Sequence, residues 1–148
     1  MKRSLLILPA LSVLALAIAA PVLAQSQAPA HRVDPQHINA YWIMINQNVD
    51  VDVPNSARNL DKPGCAAVSF TIGSDGLPHD LKLAKVAPAG DFGKVAMSAV
   101  ARFRYGPSLS NRVGDPVATY YVVPFNAPDD PAGQQRVMAP CQLPGYGT

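Results

Sequence analysis

The chain has 148 residues, with 12 Lys+Arg against 10 Asp+Glu and two cysteines, a length that suits one domain with a modest core. Two of the cations, Lys2 and Arg3, lie in an N-terminal leader, and without it the charges balance at ten each. That balance, with no basic stripe interleaved with aromatics, argues against a nucleic-acid partner, and the lack of any glutamate removes a common general acid and metal ligand.

Residues 1–24 read as a secretory signal peptide. Lys2 and Arg3 form the positive n-region, Leu5 to Ala20 is apolar, and Val22-Leu23-Ala24 supplies the small-residue cleavage pattern. Cleavage after Ala24 delivers a periplasmic chain starting at Gln25 with no stable membrane insertion. The rival reading is an uncleaved single-pass anchor in the inner membrane, against which stand the shortness of the run and its interruption by Pro9 and Pro21. No cysteine follows the run to carry a lipid anchor, and no other segment is apolar enough to span a bilayer.

Residues 25–53 form a lead-in containing a short helix or an extra strand. Asp34-Pro35 is an N-cap and first-turn pair for a helix through Gln36 and Ile38. Tyr41 to Ile45 is apolar throughout and fits either the end of that helix or a buried strand. Val49, Val51 and Val53 alternate with Asp50 and Asp52, an extended pattern, and Pro54 to Arg58 fits one helical turn.

The most ordered signal starts at Gly64. Ala66, Val68, Phe70 and Ile72 share one face of a strand, and Ala67, Ser69 and Thr71 the other. Gly73-Ser74-Asp75-Gly76 is a hairpin turn, its Asp-Gly pair suited to positive φ. Leu81, Lys82 and Leu83 continue the alternation into Val86. Asp91 is the expected N-cap of a helix whose apolar positions are Phe92, Val95, Ala96, Ala99, Val100 and Phe103. Arg102 and Arg104 fall in its expected last turn, and Gly106-Pro107 stops it. After a polar loop, Val117 to Phe125 is the strongest strand by residue type, with Pro124 marking an edge or an end. Residues 127–148 read as a Pro-rich tail.

Connectivity turns these elements into an α+β fold. The hairpin is antiparallel, one main helix covers the face with Val68 and Phe70, and a right-handed crossover sets the last strand beside the first. The expected sheet is small and antiparallel, in the order second, first, third strand.

Motifs for catalysis are missing: no His-Glu-x-x-His, Gly-x-Ser-x-Gly, Ser-x-x-Lys or glycine-rich phosphate loop occurs. His31, His37 and His79 fall in separate segments, and Asp50-x-Asp52 lacks the further ligands of a calcium loop. No enzyme activity, cofactor or metal is expected. Trp42, beside Tyr41, reads first as a core anchor and second as an exposed partner contact. Cys65 and Cys141 are an even pair in an exported chain, which suggests a disulfide. A loop of that length would stabilise by roughly 4 kcal/mol on the chain-entropy model. Otherwise Cys65 is a buried hydrophobe and Cys141 a tail thiol.

The ordered set from Pro54 through Gly64-Cys65-Ala66-Ala67-Val68-Ser69-Phe70-Thr71-Ile72-Gly73-Ser74-Asp75-Gly76, Asp91-Phe92, Phe103-Arg104-Tyr105-x-Pro107 and the strand to Phe125 resembles the TonB C-terminal-domain family. The domain is assigned to residues 54–126. The resemblance implies the same small sheet with one helix, and a non-enzymatic role in TonB-type envelope transport. It also implies β-augmentation of the last strand by an extended peptide, such as a segment of an outer-membrane receptor. The binding edge carried over is Ala118, Thr119, Tyr120, Tyr121, Val122 and Val123. The competing expectation is that the segment around Trp42, or the tail through Cys141, covers this edge. A full transducer has an anchoring helix with intramembrane polar residues and a long Pro-rich spacer. Between Ala24 and Pro54 lie residues that reach roughly 100 Å when extended, and the leader carries no histidine. The chain therefore reads as an exported binding module, with the membrane-anchored energy transducer as the alternative if the leader is retained. A homodimer remains open.

Overall fold

Side-chain alternation and turn chemistry account for most of the secondary structure. A computed structural model describes residues 30–46, 49–51, 53 and 60–146. The leader with its Ala24 boundary, Asp52, and the turn expected over Pro54 to Arg58 lie outside the described residues. In chain order the strands and α-helices are β1 (His31–Arg32), β2 (Trp42–Met44), β3 (Gly64–Ile72), β4 (Pro78–Ala87), α1 (Phe92–Ala101), β5 (Tyr105–Pro107), β6 (Val117–Phe125) and α2 (Pro131–Met138). Four strands form one sheet in the order β1-β6-β3-β4, and β2 and β5 form a separate antiparallel ribbon.

β3 lies between β4 and β6 and is antiparallel to both. The expected three-stranded sheet thus gains a fourth strand, β1, which runs parallel to β6 through His31↔Val117 and Arg32↔Ala118. One face of β3 carries Ala66, Val68, Phe70 and Ile72, which pack with Phe92, Ala96 and Val100 of α1 in the main core. Leu81 and Val86 of β4 pack against the same core. The other face is also covered: Cys65 and Ala67 cluster with Tyr120 and Cys141, under Leu143 and Tyr146 of the tail. The disulfide is formed between Cys65 and Cys141, 76 residues apart in sequence.

The hairpin turn closes as its residues require. Gly73 N–H donates to Leu77 O at 2.9 Å and Gly76 N–H to Gly73 O at 2.9 Å. The Asp75 carboxylate accepts from Leu77 N–H at 3.0 Å and lies 3.0 Å from His79 Nε2. These contacts, led by the Leu77 N–H, hold the Asp75 carboxyl below its ordinary value. Gly76 has φ +73, and a side-chain carbon there would run into the carbonyl oxygen of Tyr105. That approach is used: Tyr105 N–H donates to Gly76 O at 2.9 Å, tying the turn to β5.

Four local expectations are corrected. The main helix ends at Ala101, not near Tyr105, so Arg102 is the C-cap and Arg104 lies beyond the helix. Its end is closed from outside: Asn46 donates through Nδ2 to Arg102 O at 2.7 Å and accepts through Oδ1 from Arg104 N–H at 2.6 Å. Tyr105–Pro107 is released to pair with β2, in the register Trp42↔Pro107 and Met44↔Tyr105. Tertiary pairing here outweighs the helical spacing that Phe103 had continued. Asp91 starts α1 without a side-chain cap, and its carboxylate instead meets Lys94 Nζ at 3.0 Å.

Asp34-Pro35 makes a turn, with Asp34 Oδ1 accepting from Gln36 N–H at 2.9 Å, and leads to a 3-10 turn at Ile38–Ala40 in place of an α-helix. The tail carries a second α-helix, against the single helix expected. Asp130 caps α2 through its carboxylate on Gly133 N–H at 2.7 Å, and Pro131 occupies the first turn.

Replacing Gly76 by alanine would force a side chain into the left-handed region against the Tyr105 carbonyl. The expected cost is roughly 2–4 kcal/mol. It is measured as a lowered urea midpoint for Gly76→Ala at unchanged m-value.

Candidate functional site

Among the described residues, chemistry-bearing side chains do not converge. No group of three or more His, Cys or Asp placed to hold a metal ion occurs among them. His31 stacks near Tyr41 with ring centroids 5.8 Å apart, while His79 sits in the hairpin. A hollow of about 410 Å³ beside the turn is lined by Thr71, Ser74, Asp75, His79 and Asp80. Two of its polar groups, Asp75 and His79, are already committed to each other.

The main chain of β6 is different. Its inner side pairs with β3 over the full length, from Ile72↔Val117 to Gly64↔Phe125. On its outer side Ala118 O accepts from Val33 N–H at 2.9 Å, and Thr119 Oγ1 donates to Val33 O at 2.9 Å. There the N-terminal segment stops following the strand, because Asp34-Pro35 turns it away. N–H and C=O groups of successive strand residues alternate in direction, so Tyr120 and Val122 present theirs on the same outer side as Ala118. Among the described residues none hydrogen-bonds to those outer groups.

The residues carried over as a binding edge therefore divide. Ala118 and Thr119 are occupied by the chain's own residues 32–33. Tyr121 and Val123 turn their backbone groups inward to Val68 and Ala66, and Tyr120 and Val122 face outward. Trp42 does not cover the edge. It is buried at 1% exposure, with Nε1 donating to Asp115 O at 3.0 Å, which matches the core-anchor reading. The tail covers a face of the sheet, where Tyr120 Oη donates to Gln142 Oε1 at 2.8 Å and the Tyr120 and Tyr146 rings are 4.8 Å apart. Burial pushes the Tyr120 hydroxyl above its ordinary value.

Side chains alternate along the same stretch. Tyr121 lies on the α1 face, its ring 5.0 Å from that of Phe103, and is 37% exposed. Tyr120 lies on the tail face. The opposite edge of the sheet, β4, is less inviting as a template. It carries exposed Lys82 and Lys85, two breaks of register against β3, and Asp80 at φ 53.

What the sequence reading missed at the site is its surroundings. The groove beside Tyr121 is built by Ile38, Met44 and Tyr105, brought together by the β2–β5 ribbon. The Asp130-Pro131 pair, of the same kind used at Asp34-Pro35, was the available signal for α2.

Fold and site thus define a small α+β domain whose unusual asset is exposed strand backbone. The family model of the Gram-negative bacterial TonB protein C-terminal matches residues 52–126, about half of the chain, and the protein belongs to this family of non-enzymatic transport and interaction domains. Among solved structures, the solution NMR structure of the Pseudomonas aeruginosa TonB C-terminal domain is similar. It has 22% identity and a TM-score of 0.47, covering 68% of this chain and 99% of that chain. Curated proteins yield no match. Among the described residues no helix is long and apolar enough to cross a membrane.

The tail's hold on the sheet is open to direct measurement. Reducing the Cys65–Cys141 bridge is expected to destabilise the domain by roughly 2–5 kcal/mol, read as urea midpoints with and without reductant. Tyr120→Phe, which deletes the hydroxyl bonded to Gln142, is expected to cost about 1 kcal/mol in the oxidised protein.

Proposed function

We propose that this protein is a periplasmic binding module of TonB-type envelope transport. It recognises an extended protein segment, such as one from an outer-membrane receptor, by adding that segment as a strand to β6. Within the expected edge Ala118 to Val123, the site is the stretch beyond Thr119, with Tyr120 and Val122 making the main-chain hydrogen bonds. The observation that carries this reading is the outward-facing backbone of those two residues in a domain of this family. Open strand edges template further strands, and strand addition draws its affinity from backbone hydrogen bonds. The family supports a protein partner, and the lack of any motif for catalysis is consistent with a role limited to binding.

Export accompanies this reading, with the leader removed after Ala24. Intact-mass measurement of the envelope protein is expected to give a chain beginning at Gln25. A retained Met1 would favour the anchored transducer instead.

Proline substitution separates outward from inward backbone. Val122→Pro removes an outer donor, whereas Tyr121→Pro removes a donor to β3 and is expected to unfold the domain. With a photo-crosslinker at the 37% exposed Tyr121 of the full chain, capture of a receptor's periplasmic segment is expected. Val122→Pro should lose that capture while keeping the parent's thermal midpoint. Undiminished capture by the proline variant would overturn strand addition at this edge.

A further inference from the structure

Two hollows flank the outer edge of β6, one on each side of the sheet plane. The first, about 200 Å³, lies on the Tyr121 side and is lined by Pro35, Ile38, Asn39, Met44 and Tyr105 together with β6 itself. The second, about 240 Å³, lies on the Tyr120 and Val122 side and includes Asp34, Gln36, Met138 and Gln142. Neither reaches the ~300–1,000 Å³ typical of a small-molecule pocket. Tyr120 and Tyr121 of β6 line both.

A strand laid along this edge would sit ~4.7–4.9 Å from β6 and send successive side chains to opposite faces. Consecutive residues of such a strand would then enter different hollows. On the basis of the strand addition proposed above, we infer that these hollows are paired side-chain subsites. The Ile38–Met44–Tyr105 hollow takes one aliphatic side chain, and the Asp34–Gln142 hollow takes the hydrogen-bond-donating or cationic side chain of the adjacent residue.

The chemistry of each wall sets its preference. The first is aliphatic and aromatic, with Ile38 and Met44 half-buried and Tyr105 buried. No Asp, His, Lys or Arg lines this wall, so it carries no charge at neutral pH. A charged or strongly polar side chain placed there would lose its hydration without compensation. In the second hollow Asp34 supplies a carboxylate, with the side-chain amides of Gln36 and Gln142 beside it and no cation in the lining. The chain's own N-terminal segment leaves this stretch at the Asp34-Pro35 turn, and Pro35 borders both hollows.

The test is calorimetric titration of the full chain with acetylated, amidated heptapeptides of Ser, Thr and Val. Each peptide carries Leu or Ala at one central position and Lys or Asp at the next. Replacing Leu by Ala is expected to weaken binding roughly 10- to 100-fold, and replacing Lys by Asp is expected to weaken it further. Asn39→Trp, at an exposed position on the first hollow's rim, should bring the Leu/Ala ratio close to unity without changing affinity for the Ala peptide. Met44→Ala enlarges the hollow and should shift preference from Leu to Phe, which provides a second route if the Trp variant does not fold.

If the parent binds Leu and Ala peptides alike, and Val122→Pro still abolishes binding, the subsites are refuted while strand addition stands. An unchanged Leu/Ala ratio in Asn39→Trp, or no shift toward Phe in a folded Met44→Ala, also refutes the aliphatic subsite. If no peptide binds the parent, both the subsites and the strand addition beneath them fail.

Discussion

The constraint on which this domain depends is the burial of β3 on both faces. Cys65, Ala66, Ala67 and Val68 are fully buried in succession, which a strand with only one covered face would not show. Small side chains at Ala66 and Ala67 keep both faces shallow. α1 closes over Ala66, Val68 and Phe70, while Ala67 and Cys65 pack beneath the tail. The second cover includes only a short helix and irregular chain, and a covalent bond at Cys65 fixes it in place. With β3 enclosed between β4 and β6 as well, the sheet's unpaired main chain lies at its margins.

Those margins are unequal. β4 has lysines, two register irregularities and a residue at positive φ, features that discourage edge-to-edge pairing. β6 pairs regularly with β3 along its length, yet among the described residues its outer side is occupied only near Val117 to Thr119. The N-terminal segment begins a fourth strand and abandons it after Val33. The result is a short interval of free main chain bordered by two differently lined hollows.

Much of the central unit was legible in the chain because its signals are local. Alternation from Ala66 to Ile72, the Asp75-Gly76 turn and the apolar spacing of Phe92, Ala96 and Val100 each have a nearby physical cause. The end of α1 was not legible, since Asn46 closes it from more than fifty positions away. The helical spacing of Phe103 is real, but that ring is recruited to pack edge-on against Tyr105 and Tyr121. Tyr41 to Ile45 stayed ambiguous for a related reason: only pairing with Tyr105–Pro107 decides it is extended at Trp42–Met44. The strand proposed as the binding edge could be read from composition and family likeness. The division of its backbone into occupied, inward and outward groups required the register.

Gln142 follows Cys141 directly, and it both holds the Tyr120 hydroxyl and borders the hollow next to Val122. The shape of that rim is therefore coupled to a sulfur–sulfur bond. Where both thiols stayed reduced, the rim would be secured only by weaker contacts, among them the Tyr120–Gln142 hydrogen bond and the stacking of Tyr146. The finished contour of this rim thus depends on a covalent closure that only an oxidising environment sustains.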